Sequence, residues 1–159
     1  MDNLIFPNNG LIGRKKANAV LNIILPDHST YTLNHVDLDV VKEKCPLLAL
    51  CFEDNYQGSH HSMEASSATL IISFLRFLYT GEYMPCADNT WSEECSLLLH
   101  AELCRLGDIY EVPTLVVQSH YCIIQKTELA CSCPDPPEEL CAAIRFIYEH
   151  LPNLSLIHI

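Results

Sequence analysis

The chain has 159 residues, 49% of them hydrophobic and 18% charged, with five glycines and nine prolines. That length and composition fit one folded domain and exclude a disordered or low-complexity chain. Twenty acidic residues against nine basic ones leave a formal charge of -11, and a field of that sign disfavours nucleic acid and anionic membrane surfaces as partners.

Residues 1–18 carry Asp2 ahead of the first apolar triplet and then Pro7, Asn8 and Asn9, a pattern unlike a secretory leader. Arg14, Lys15 and Lys16 follow, and the segment reads as a flexible lead-in. From 19 to 25 the chain is apolar except for Asn22, and it stops at Pro26-Asp27-His28-Ser29, a run of turn residues. Tyr31 and Leu33 then alternate with Thr30, Thr32 and Asn34, the period of a half-buried strand, so residues 19–34 are predicted to form a β-hairpin. Helical character follows over 37–44, where Leu38 and Val41 stand three apart and Asp37 and Asp39 place negative charge at the first turn. Pro46 suits the first turn of a second short helix over 47–52.

The polar stretch 53–62, with Gly58, His60 and His61, reads as a loop. Residues 65–80 form the clearest helix: Ser66 or Ser67 caps it, Gly81 stops it, and Thr69, Ser73, Arg76 and Thr80 are its polar stripe. Leaving Ile71, Ile72, Phe74, Leu75 and Leu78 in water would forfeit about 1.5 to 3 kcal/mol each, which puts this helix at the centre of the fold. Thr90-Trp91-Ser92-Glu93 has capping-box spacing ahead of a helix with Leu99, Leu103, Leu106 and Tyr110 on one face, and Gly107 should end or bend it. Pro113 opens a helix to about residue 126; residues 127–137 form a proline-rich connector; and a last helix over 138–152 has the face Leu140, Ile144, Ile147 and Leu151. The expected organisation is a lead-in over 1–18, a domain over 19–126, the connector, the last helix and a tail over 153–159. Its class is α+β, a helical core with a small β-sheet built from the amino-terminal hairpin.

Nine cysteines, an odd number with no repeating spacing, read as free thiols, which implies a reducing compartment and an intracellular protein of the cytoplasm or nucleus. Cys131-Ser132-Cys133, with Cys122, Cys141 and His120, offers ligands of the type zinc takes, but its one-residue gap is shorter than the pairing zinc sites use. Small thiols around a loop are the simpler reading. Cys51, Cys95 and Cys104 stand among apolar neighbours and are expected to be buried, and no cysteine sits in a nucleophile motif. His60-His61 is expected to be solvated, and His100, among Leu97 to Leu99 and Ala101, to be a core or interface histidine. No catalytic residue, cofactor or metal site is assigned; a zinc- or thiol-dependent enzyme is the alternative from another class.

The buried helix ends in Phe77-Leu78-Tyr79-Thr80-Gly81-Glu82-Tyr83, and the helix after it carries Leu98-Leu99-His100-Ala101-Glu102-Leu103-Cys104-Arg105-Leu106-Gly107-Asp108-Ile109-Tyr110. Preceded by a hairpin, two short helices with the turn Cys45-Pro46-Leu47-Leu48, and a polar loop, this order resembles the BTB/POZ domain over residues 19–126, particularly the BTB domains of filamentous fungi. The resemblance implies a protein-protein interaction module without an active site. It implies a homodimer formed through the first helix and the amino-terminal segment, and in some members a link between a cullin scaffold and a substrate receptor for ubiquitin transfer. Leu38 and Val41, the apolar positions of a helix too short to have its own core, are the expected dimer contacts, with packing inside the domain as the alternative, and Phe52 and Tyr56 the partner-binding loop. Cullin-joining members carry an apolar residue, any residue and glutamate in that loop; here Tyr56-Gln57-Gly58 keeps the apolar anchor without the carboxylate. A scaffold or transcription-related adaptor without cullin binding is the alternative. Tyr79 is expected to pack its ring and reach water with its hydroxyl.

Overall fold

A computed structural model describes residues 19–83, 96–132, 134 and 139–151. The chain divides into two compact units, 1–83 and 84–159, with the division inside the span 19–126 that the sequence presents as one domain. The described residues form a four-stranded sheet and six helices, a mixed α+β arrangement.

In the first unit, β1 (Ala19–Ile24) and β2 (Thr30–Val36) make the predicted hairpin. Its turn is closed by Leu25 N donating to Ser29 O at 2.9 Å, and the Asp27 carboxylate accepts from the Ser29 N–H, also at 2.9 Å. Ala19, Leu21 and Ile23 alternate inward along β1. In β2 the buried residues are Leu33 and Val36, three apart, because Ala19 pairs with Val36 and Leu21 with Leu33, which gives β2 one extra residue. His35 takes up the irregularity at φ 63. Tyr31, expected to be half-buried, is 39% exposed.

The helices α1 (Leu38–Lys44) and α2 (Pro46–Leu50) follow, with Pro46 in the first turn of α2 as expected. Asp37 caps α1, its carboxylate accepting from Asp39 N at 3.0 Å and Val40 N at 3.3 Å. The stretch expected as a loop is instead two strands, β3 (Glu53–Asn55) and β4 (Gly58–Glu64). The sheet order is β2-β1-β4-β3; β4 runs parallel to β1, from Val20 beside His60 to Ile24 beside Glu64, and antiparallel to β3. Only Met63 of β4 is fully buried, so its hydrogen bonds to two neighbours define it and hydrophobic alternation does not.

α3 (Ala68–Thr80) begins three residues later than predicted and has the predicted ends. The Ser67 hydroxyl accepts from Leu70 N at 3.2 Å, and Gly81, at φ 81, donates its N–H to Phe77 O at 2.8 Å. A side chain at position 81 would meet nothing within 4 Å; the backbone torsion, and not space, calls for glycine there. Leu70, Ile71, Phe74, Leu75, Phe77 and Leu78 are buried.

Tyr79 is half-buried near the end of α3. Its hydroxyl accepts a hydrogen bond from the Asp37 N–H at 2.7 Å, tying the last turn of α3 to the start of α1. Burial pushes the phenol up to about 12, against the opposing effect of that hydrogen bond. Tyr79→Phe keeps the ring and deprives the partly buried Asp37 N–H of its acceptor, and a loss of about 1 to 3 kcal/mol is expected. Urea denaturation of the two proteins measures it.

The second unit contains α4 (Leu97–Ile109), α5 (Pro113–Cys131) and α6 (Glu139–His150). Ser96 caps α4 by accepting from Leu99 N at 3.1 Å; the capping box expected at 90–93 lies outside the described residues. Gly107 does not end α4, which continues to Ile109. A Cβ on Gly107 would stand 3.0 Å from Val116 Cγ2 and 3.2 Å from Val116 N, so the glycine lets α5 approach closely. α5 continues five residues beyond the predicted 126, and residues 127–131 of the expected connector are helical. Glu128, Leu129 and Ala130 are good helix formers, and Ala130 is buried. Leu97, Ala101, Cys104, Ile123, Ala143, Ile147 and Leu151 make one buried cluster, with Leu140 packed against it. Ile147 and Leu151 are buried on the inward face predicted for the last helix, Leu140 is partly buried against the cluster, and Ile144 is likewise partly exposed.

Candidate partner-binding surface

Of the two expected dimer contacts, Val41 has no exposed surface. It belongs to the interior of the first unit, because α1 turns Val40 and Val41 inward and its charged Asp39, Lys42, Glu43 and Lys44 outward. Leu38 is half-buried and retains some surface.

The expected partner-binding residues lie on the segment from α2 to the β3–β4 turn. α2 is too short to bury more than one side: Leu48 is inward, and Leu47 and Leu50 are exposed, Leu50 to 80%. Cys51, expected to be buried, is exposed, with its thiol 3.4 Å from Leu47 O. Phe52 is half-buried and packs its ring against His61, 5.6 Å between centroids at a tilt of 52°. Tyr56 is 94% exposed at the tip of the hairpin.

Polar contacts hold that tip. Asn55 Oδ1 accepts from Gln57 N at 2.8 Å, Asn55 Nδ2 lies 3.2 Å from His60 Nδ1, and the Ser59 hydroxyl donates to the Asp54 carboxylate. His60 Nε2 is 4.0 Å from Glu53 Oε2. The histidine pair is therefore half-buried on β4 and not in a solvated loop. Burial holds the His61 imidazole below its ordinary pKa, with Glu53 opposing that effect and His60 reinforcing it.

Gly58 has φ 117, a backbone conformation that side-chain-bearing residues rarely adopt. The glutamate of the cullin-joining pattern would be strained at this position. Gly58→Glu is expected to cost about 1 to 3 kcal/mol, read as a lower urea midpoint. No protein-family model matches the chain, and no curated protein or solved structure matches it significantly.

The remaining sequence candidates are dispersed. Cys122 is half-buried and Cys131 exposed on α5, Cys141 is exposed on α6, and Cys95 and Cys133 lie outside the described residues. Among the described residues no three His, Cys, Asp or Glu side chains converge as a metal site, and no helix is long and apolar enough to cross a membrane. Cys104 is buried as expected, and burial pushes its thiol up. His100 is completely buried, and burial first, then Lys126, pushes its imidazole down to about 4. At the far end of β4, a groove of about 420 Å³ is lined by Ile24, Leu25, Pro26, Ala65 and the polar His28, Glu64 and Ser66. Sequence reasoning missed Leu47 and Leu50; the signal for them was the brevity of the helix that Pro46 opens.

Proposed function

We propose that the chain is a protein-protein interaction module of the BTB/POZ type, whose first unit recruits a partner protein through Leu47, Leu50, Phe52 and Tyr56. The observation that carries this reading is the exposure of Tyr56 and Leu50, 94% and 80%, within seven residues of chain that also hold the half-buried Phe52. Large apolar side chains left in water close together mark interaction surfaces, and tyrosine is among the residues that anchor them. The element order supports the BTB/POZ assignment: a hairpin, two short helices, a buried helix ending at Tyr79-Thr80-Gly81, and the packed pair α4 and α5. Homodimerisation through α1 draws on Leu38. A place in the cytoplasm or nucleus, where thiols stay reduced, belongs to this reading.

A second reading, a scaffold or transcription-related adaptor that binds no cullin, is favoured by the torsion at Gly58, which opposes any side chain where the carboxylate is missing. Capture assays separate the two. Tyr56→Ala and Leu50→Ala are expected to keep stability within about 0.5 kcal/mol of the parent and to weaken partner capture at least tenfold. Strong capture of a cullin amino-terminal fragment, lost in Tyr56→Ala, supports the cullin partner. Capture of another protein with the same dependence supports the adaptor. Partners that bind both variants as tightly as the parent chain would reject this surface.

A further inference from the structure

The surface around Tyr56 carries charge of one sign. From Lys44 to Arg76 the chain runs through 31 residues without a lysine or arginine, and Glu53, Asp54 and Glu64 stand in that stretch. Among residues 19–83 eight are acidic and three are basic. Glu53 and Asp54 open β3, an outer strand of the sheet, and both are exposed. In the chain they lie between Leu50 and Tyr56, the two most exposed large apolar side chains among the described residues. The Glu53 side chain is 84% exposed, with Oε2 4.0 Å from His60 Nε2. The Asp54 carboxylate accepts from the Ser59 hydroxyl, a donor that carries no charge of its own. Lys44, the cation nearest in the chain, lies 2.9 Å from the Glu43 carboxylate.

We infer that the occupant of this surface is a protein segment carrying lysine or arginine beside apolar residues. The inference rests on the reading of Leu47, Leu50, Phe52 and Tyr56 as a docking surface and adds the charge of what docks there. Apolar anchors supply contact area, but they discriminate poorly between one greasy segment and another; the two carboxylates set among them do the selecting. An acidic segment would bring like charge against Glu53 and Asp54, on a chain whose formal charge is already -11. A neutral apolar segment laid over the same ground would take the carboxylates out of water and give them no partner, which costs free energy. A lysine or arginine next to the apolar residue replaces the lost water with a charge-assisted hydrogen bond, and arginine can meet a carboxylate through two of its N–H groups at once. Charges that stay partly in solvent act chiefly on the choice of partner and on the rate of association, and salt screens them. Binding at this surface is therefore fastest and most selective at low ionic strength.

Selection from a random phage-displayed peptide library against the full chain, with binders of Tyr56→Ala removed beforehand, tests it. The selected peptides should carry lysine or arginine beside leucine or an aromatic residue. Synthesised singly and titrated by fluorescence anisotropy at about 50 mM NaCl, they should bind the parent at least about fivefold more tightly than the double variant Glu53→Gln with Asp54→Asn. That advantage should shrink below about twofold at about 500 mM NaCl, where the screening length falls to about 4 Å. Peptides that need Tyr56 but carry no cation, or that bind the double variant as tightly as the parent, overturn the inference and leave the docking surface standing. A library that yields no Tyr56-dependent binder overturns both. Should the double variant fail to fold, an affinity for the parent chain that is the same at the two salt concentrations overturns the inference on its own.

Discussion

Phe74→Ala is expected to remove about 3 to 5 kcal/mol from the stability of the folded chain, the cost of truncating a fully enclosed aromatic side chain. Phe74 lies in the middle of α3 with no exposed surface, and Ile71 and Leu75 on the same helix are enclosed to nearly the same degree. The substitution loses the transfer energy of the ring and leaves a void that close-packed neighbours fill only partly. Typical domains have about 5 to 15 kcal/mol in total, so the variant should be largely unfolded in moderate urea while the parent remains native. Ile72→Ala is the internal control. Ile72 is only half-buried, and its truncation in the same helix should cost clearly less. Equal displacements of the urea midpoint for the two variants would show that α3 is not the centre of the packing.

That helix was legible because several independent signals agree on it: a dense apolar face, a serine at its start and a glycine at its end. β1 was legible as an apolar run broken only by Asn22 and closed by the turn residues from Pro26 to Ser29; its two-residue period shows only in the burial of Ala19, Leu21 and Ile23. β3 and β4 were not. Their residues, Glu-Asp-Asn and Gly-Ser-His-His-Ser-Met-Glu, carry almost no apolar alternation, and the parallel pairing of β4 with β1 joins strands far apart in the chain. β2 was legible in position, and Leu33 is inward as its alternation predicts; the extra residue at the bulge brings Val36 inward as well, which no two-residue period announces. Gly107 was legible only in part, since α4 runs two residues past it. A glycine in a helical pattern looks the same whether it ends a helix or admits a neighbour, and here the proximity of Val116 shows that it admits one.

The candidate surface divides along the same line. Tyr56 stands among polar residues and close to a glycine, the composition of an exposed turn. Val41 and Leu38 have the spacing of a helical stripe, but a stripe on a seven-residue helix does not say whether it faces the interior or a partner. The turn from Val36 into the cap at Asp37, held by the Tyr79 hydroxyl, sets that facing, and it depends on a residue 42 positions away. Leu50 is exposed because five residues of helix cannot bury two sides, a consequence of element length that residue types alone do not announce.

Acid is expected to destabilise the chain through His100. Its imidazole is completely buried on α4 and held down to about 4, chiefly by burial and secondarily by the positive charge of Lys126. In the unfolded chain the ordinary value is about 6.5. Between these two values the unfolded state binds a proton that the folded state refuses, so the unfolding free energy falls as pH falls. The contribution is fully present above about 6.5 and is lost as pH drops through about 4. At roughly 1.4 kcal/mol for each pH unit between the two values, the loss across the window is about 3 kcal/mol. Carboxylates also titrate near the lower limit, and the informative quantity is therefore the difference between the parent chain and His100→Leu in urea unfolding at several pH values. Leucine removes the titrating group while keeping an apolar side chain in the enclosure, so the variant should lose less stability than the parent between neutral pH and about pH 4. Hydrogen exchange of the α4 amides, followed over the same range, assigns the effect to this helix. Lys126→Gln should recover only a minor part of the dependence, because burial is the leading cause of the low pKa. Equal pH dependence in the parent and His100→Leu would mean that the imidazole takes up its proton without opening α4, and hence that water reaches the interior of this helix in the folded protein.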